Sequence, residues 1–231
     1  MKDNFKDVLD SLPKVNPMGE AITIVGAVKT VPPADITRAT ELGLREIGEN
    51  KVQEFLQKEA EYPPCKLHFI GHLQTNKVKY IIGKVSLIQS CDSEKLAEKI
   101  SALASASGLT QDVLLEINIG KEVRKSGIMP ENFFDVLKYV RALPGVNVRG
   151  IMTVLPKAGI DGVSNEKIKD YCLQMRGIYD KIKVSDKRIN VLSMGMSADY
   201  KIAVECGSNM LRIGRLLFGE RKYDTGGIGN V

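Results

Sequence analysis

The sequence predicts an α/β chain closed into a (β/α)8 barrel of the TIM type, with an extra helix at its N-terminus. Three observations predict it. Short runs of strand character alternate eight times with longer runs of helical period. The eight units follow one another with no sign of an antiparallel hairpin, which favours a closed parallel barrel over an open doubly wound sheet. The 231 residues are slightly short for that fold but within its range, and neither a Gly/Ser linker nor a composition shift divides them. Residues 1–231 therefore read as a single domain.

The elements follow in order. The opening stretch MKDNFKDVLDSLPKV reads as an amphipathic helix with Phe5, Val8, Leu9 and Leu12 on one face. It lacks the apolar core of a signal peptide. The first strand, 22–28, is β-branched at Ile22, Thr23, Ile24 and Val25. It ends on Lys29, with Pro32 and Pro33 just beyond. A helix over 34–42 closes at Gly43. Strands at 44–48 (LREIG) and 67–71 (LHFIG) flank a helix at 50–61, and helical period at 75–82 leads into strand 85–89 (VSLIQ). Asp92 and Ser93 head a helix at 93–107, and Gly108 follows it. Strand 113–118 (VLLEIN), helix 131–142 and strand 148–153 (VRGIMT) come next. Ser164 heads the helix at 165–183, strand 190–194 (NVLSM) follows, and Ser197 stands before a helix at 198–205 that ends at Gly207. Strand 210–213 (MLRI) and a short helix at 215–218 complete the set. Ser and Asp side chains accept the free amides of a first turn, and glycine suits the position after a last turn. The tail KYDTGGIGNV reads as frayed. No helix follows its glycines, so they are not a dinucleotide fingerprint.

Composition narrows the function classes. The net charge of +5 comes from 33 basic and 28 acidic residues, well mixed along the chain, and there is no Trp. A nucleic-acid binder ordinarily clusters its basic residues and interleaves aromatics, so none is expected here. No apolar run approaches the roughly 20 residues of a membrane span. Cys65, Cys91, Cys172 and Cys206 form no C-x-x-C pair and read as structural in a reducing compartment. The expectation is a cytoplasmic protein.

In a barrel of this type the chemistry sits where strands give way to βα loops. The predicted strand ends deliver Lys29, then Gly48, Glu49 and Asn50, then Gly71 and His72. Ser90, Cys91 and Asp92 follow, then Asn118, then Met152 and Thr153. Strand seven gives Ser193, Met194, Gly195, Met196 and Ser197, and strand eight gives Arg212, Ile213, Gly214 and Arg215. The segments SMGMSAD and RIGRLLFG each place glycine and a helix start after a strand. Singly, either is only a cap. Together, after strands seven and eight, they make a candidate phosphate cradle.

Lys29 admits two readings. It is a solvated or ion-paired rim charge, or it is a Schiff-base lysine, its amine freed by desolvation and neighbouring cations to attack a carbonyl. A phosphate cradle across the mouth from such an amine suits a phosphorylated aldehyde, and that pair of features points to pyridoxal 5′-phosphate.

The sequence resembles the pyridoxal phosphate homeostasis protein family, single-domain relatives of the alanine racemase barrel. The carrying segments are AVKT (27–30), IGENKVQE (47–54), HFIGHLQTNKVKYI (68–81), CDSEKLAEKI (91–100), KSGI (125–128), GIMTV (150–154), LSMGMSADY (192–200) and MLRIGRLLFGER (210–221). They span nearly the whole chain. The resemblance implies a fold-type III barrel for this vitamin B6 cofactor. Lys29 would form the internal aldimine and Asn50 would line the ring. Ser197 and Gly214 would hold the phosphate, Arg212 would face the pyridine nitrogen, and Met194 would pack near the ring. Two positions depart from the pattern: Leu67 stands where an aromatic residue often precedes the histidine, and Arg215 where a small hydroxyl often follows the glycine.

An arginine only donates hydrogen bonds, so it leaves the ring nitrogen unprotonated and the electron sink weak. The related racemases add a second base and a further β-domain. Here about ten residues follow the last predicted helix. The expected function is therefore cofactor binding and intracellular homeostasis without robust turnover, with no catalytic residues and no metal. The expected form is a monomer that touches apo-enzymes only transiently. A racemase-like enzyme is the alternative. A cofactor-free Schiff-base aldolase is a third reading, with Glu49 or Asp92 as its acid/base.

Lesser signals remain. His68 and His72 share a strand face without a visible third metal ligand. Lys77 and Lys79 read as solvated charges with a possible phosphate role. Arg221 reads as a cap or ion-pair partner.

Overall fold

The computed structural model describes residues 4–157, 159 and 163–220. Arg221 and the KYDTGGIGNV tail lie outside these residues. Eight parallel strands close into a barrel in chain order. They are β1 (Thr23–Ala27), β2 (Glu46–Glu49), β3 (Lys66–Phe69), β4 (Leu87–Cys91), β5 (Gln111–Glu116), β6 (Val146–Met152), β7 (Val191–Met196) and β8 (Met210–Ile213). Closure is explicit in the pairing of β1 with β8, where Thr23 stands opposite Met210 and Val25 opposite Arg212. An open sheet would leave those two edges unpaired, so the barrel reading holds.

The helices are α1 (Phe5–Ser11), α2 (Pro33–Glu41), α3 (Val52–Lys58), α4 (Glu94–Ala106), α5 (Phe133–Arg141), α6 (Asn165–Ser185), α7 (Tyr200–Glu205) and α8 (Arg215–Phe218). The expected N-terminal helix forms as α1. Its Phe5 and Leu9 are buried, and Phe5 meets Phe218 of α8 with ring centroids 5.6 Å apart. Ser93 and Ser164 cap α4 and α6 through their hydroxyls, accepting from Leu96 and Lys167 amides. Gly43, Gly108 and Gly207, each just past a helix, have positive φ.

Several boundaries differ from expectation. Residues 75–80 form a 3-10 helix rather than an α-helix, and further 3-10 turns extend α3 and precede α5. The fourth strand starts later than the apolar run suggests, so Ser90 and Cys91 lie inside β4. All four cysteines are free, and burial pushes the Cys91 thiol up to about 12. No described helix is long and apolar enough to cross a membrane.

Side chains alternate between two environments because the strand period is two. The outward residues join a large core beneath the helices, with Ile47, Phe69, Ile88, Leu115, Ile151, Leu192 and Leu211 among them. The inward ones include a small apolar cluster of Val25, Leu87, Leu114, Met152 and Met210. Two residues above Leu114 on the same face stands Glu116, two above Leu87 stands Gln89, and two above Met210 stands Arg212. Polar groups thus gather on the inside toward the C-terminal mouth.

Candidate functional site

Lys29 continues the inward parity of Val25 and Ala27, just beyond the end of β1. It is half-buried and sits in a turn closed by the Val31 amide donating to Val28 O at 3.0 Å. The next residue, Thr30, has φ 60°, an uncommon conformation for a β-branched residue and one that persists only where surroundings enforce it. Here they do. The Thr30 amide donates to Glu54 Oε2 at 2.8 Å, and Lys58 Nζ donates to Val28 O at 3.0 Å. Lys58 also pairs with the fully buried Glu49 at 2.6 Å, and the Tyr62 hydroxyl donates to the same carboxylate at 2.9 Å. Burial and that carboxylate push the Tyr62 phenol far above its ordinary range. The turn that presents Lys29 is therefore braced from α3 by an ion-paired network. This placement removes Glu49 as an acid/base for the aldolase reading, since it is sealed outside the barrel mouth. Asp92, the other candidate, is engaged by His72 Nδ1 at 3.1 Å and by the Ser93 hydroxyl at 3.0 Å.

Asn50 follows β2, the neighbour of β1. Its backbone is pinned by close approach to Gly71, where an added Cβ would lie 2.1 Å from Asn50 O. Its side-chain oxygen is buried with no hydrogen-bond partner in the structure. Such an orphaned acceptor costs about 1–3 kcal/mol, and a ligand in the mouth would satisfy it.

Ser197 does not cap the helix after β7. The helix after β7 begins at Tyr200, and Asp199 rather than Ser197 stands at its cap position. The Asp199 carboxylate accepts the Met196 amide at 2.5 Å, across a turn that Gly195 enters at φ 98°. The Ser197 hydroxyl is thereby released toward α8, where it accepts the Leu216 amide at 3.3 Å. Ser197 and the Gly214 turn that opens α8 do come together, but at the start of α8 and not of α7. Arg215 is exposed.

Arg212 is 4 % exposed, with Nη1 2.6 Å from Ser193 Oγ and Nη2 2.7 Å from Thr153 O. Burial lowers its pKa to about 10, against the pull of Glu116 and Asp199. It stays a cation at neutral pH and can only donate. Met194 is a correction. Its side chain is fully buried in the helix-facing core, on the opposite parity from Ser193, and does not line the mouth.

His68 and His72 also part company. His68 is buried against Gln89 and Glu46, while His72 lies at the rim with Asp92 and Ser126. Among the described residues no three His, Cys, Asp or Glu side chains gather as a metal site. Lys77 and Lys79 lie over the Tyr80 ring at 5.8 and 5.0 Å.

Glu116 is not among the residues singled out from sequence. Glu116, 8 % exposed at the inner end of β5, is pushed up to about 7 by burial and by Asp92, against Arg212, His72 and Lys125. Its signal was a carboxylate at inward parity in the apolar run VLLEIN. The unfolded chain loses this proton near 4.5 and the fold near 7. Between those values the folded state holds the extra proton, so stability falls as pH rises through that window. Glu116→Gln should therefore be more stable than wild type at pH 8, by roughly 2–3 kcal/mol, and no more stable at pH 4. Urea unfolding across that range checks this.

The family model for the alanine racemase N-terminal domain matches residues 18–222. A pyridoxal phosphate homeostasis protein of Aquifex aeolicus is 45% identical over 206 residues, covering 87% of each chain. The chain belongs to the pyridoxal phosphate homeostasis protein family, within the alanine racemase N-terminal domain family. Among solved structures, PipY of Synechococcus elongatus PCC7942 with PLP bound matches at TM-score 0.80 and 29% identity, covering 93% of this chain and 100% of that one. Alanine racemase of Clostridium difficile 630 matches at TM-score 0.77 and 18% identity, covering 96% of this chain and 56% of that one. That second likeness concerns the fold alone. In this chain Lys29, Asn50, Ser197, Arg212 and Gly214 stand at or just beyond the C-terminal ends of β1, β2, β7 and β8.

Proposed function

We propose that this protein binds pyridoxal 5′-phosphate through the Lys29 amine and takes part in intracellular homeostasis of that cofactor, without robust turnover. The observation that carries the reading is the pairing of two neighbouring strands. β1 leads into the braced lysine, and β8 holds a buried, protonated arginine inside the same barrel. The names of the relatives and the PLP-bound neighbour support the choice of ligand.

The residues present fit the group. When bound, pyridoxal phosphate supplies an aldehyde that condenses with amines and a ring that accepts electrons. Lys29 offers the attacking amine. Asn50 offers its unpartnered side-chain oxygen to the ring substituents. The Ser197 hydroxyl and the amide of Gly214 offer donors to the phosphate, where α8 adds the positive end of its first turn. Arg212 would donate a hydrogen bond toward the pyridine nitrogen while keeping its own proton, which leaves that nitrogen unprotonated and electron withdrawal weak. We read residues 1–231 as a single binding domain. In this reading the protein acts as a cytoplasmic monomer, with transient contact with PLP-dependent apo-enzymes as the route of delivery.

Glu116 favours one second reading. A buried carboxyl titrating near 7 in the mouth is suited to proton transfer, and a racemase-like enzyme would use such a group. Incubating the cofactor-loaded protein with D- and L-alanine in D2O separates the two. The carrier reading expects no sustained exchange of the α-proton. Multiple turnovers that disappear in Glu116→Gln would establish the enzyme instead.

A further inference from the structure

Interiors of parallel eight-stranded barrels are ordinarily filled by branched aliphatic side chains. This one carries a polar row across the middle. Arg212 Nη1 lies 2.6 Å from Ser193 Oγ, and Ser193 Oγ lies 2.7 Å from Gln89 Oε1. Gln89 Nε2 lies 2.8 Å from His68 Nδ1 and 3.2 Å from Met210 Sδ. His68 Nε2 lies 3.1 Å from Glu46 Oε2. Ser193 and Gln89 are fully buried and His68 is 2 % exposed. The row crosses strands β8, β7, β4, β3 and β2. It runs from the mouth to the opposite end of the barrel, where the exposed Lys66 pairs with Glu46 at 3.2 Å.

Burying so many polar groups is unfavourable unless each is bonded, and here one set of bonding directions satisfies every group in the row. Arginine only donates, so Ser193 Oγ accepts and its single proton goes to Gln89 Oε1. That turns the amide nitrogen of Gln89 toward His68, whose Nδ1 must then accept. The imidazole proton is left on Nε2, aimed at the Glu46 carboxylate. The row is a head-to-tail series of donors from a cation to an anion, the arrangement in which hydrogen bonds polarise one another.

We propose that Ser193, Gln89 and His68 are positioning residues for Arg212, with Glu46 as the anchor of the row. They fix the plane of the guanidinium from below, while Thr153 O fixes Nη2 from the side. Arg212 then meets the ring nitrogen of a bound pyridine already oriented. The proposal rests on the cofactor reading above for the identity of what Arg212 meets, but not for the rigidity of Arg212 itself.

The test uses Ser193→Ala and Gln89→Leu in the full chain, with pyridoxal 5′-phosphate as the probe. In the cofactor-free protein, nitrogen-15 NMR of the Arg212 guanidinium should give separate, slowly exchanging Nη signals. Both variants should average them. Cofactor affinity should fall about tenfold in each variant, while borohydride still fixes the cofactor on Lys29. In an Arg212→Met background, Gln89→Leu should cost no further affinity. Wild-type signals and affinity in both variants would overturn the proposal. So would an equal affinity loss with Arg212 already replaced, since that would mean general distortion of the barrel. If Gln89→Leu does not fold, Ser193→Ala decides by the same readouts. If wild type takes up no cofactor at all, the functional reading fails, and the guanidinium signals alone still decide the positioning role.

Discussion

Lys58→Met is expected to lower stability by about 3–5 kcal/mol, because it strips the cation from a carboxylate with no exposure to water. Glu49 would retain the Tyr62 hydroxyl at 2.9 Å and the Asn50 amide at 3.2 Å. Neither carries a charge. The same change removes the donor to Val28 O, so the turn bearing Lys29 loses one of its two ties to α3. Urea midpoints give the stability loss. The double variant Lys58→Met/Glu49→Gln should recover a large part of it, because the pair then leaves no uncompensated charge inside. A single variant within 1 kcal/mol of wild type would mean that water reaches Glu49 and the network is not closed.

Gly71→Ala has the next largest effect. The new methyl would stand 2.1 Å from the Asn50 carbonyl oxygen and 2.8 Å from its carbon, both backbone atoms that cannot swing aside. The loops after β2 and β3 must separate, at about 3 kcal/mol. The Gly71 carbonyl accepts the Ser90 hydroxyl at 2.6 Å, so the strain reaches β4 as well. Because the displaced residue is Asn50, the affinity for pyridoxal phosphate should drop with the stability. Thermal melts with and without cofactor measure both. An unchanged melting temperature would contradict the tight approach of these two loops.

The barrel was legible because parallel strands buried on both faces leave continuous apolar runs, and those runs recur eight times with helical period between them. The position of Lys29 just past β1 was legible for a related reason: a charge ending such a run is conspicuous. Ser197 was half legible. Its place after strand seven was right, but a serine followed by a short helix suggests a cap, and nothing local says that Asp199, two residues on, takes that position. The interior row was not legible. Glu46, His68, Gln89 and Ser193 each look like one polar residue in a strand. Their meaning depends on partners up to 121 residues apart in sequence, which only closure of the barrel brings together. Met194, carried over from the resemblance, faces the helices, since neighbouring strand positions face opposite sides.

The central claim is that the Lys29 amine bonds the aldehyde of pyridoxal phosphate at the barrel mouth. Peptide mapping by mass spectrometry after borohydride reduction of the loaded protein tests it most directly. A single reduced pyridoxyl-phosphate adduct is expected, on the peptide containing Lys29, and none in Lys29→Ala. An adduct of equal yield on another lysine in that variant would contradict it.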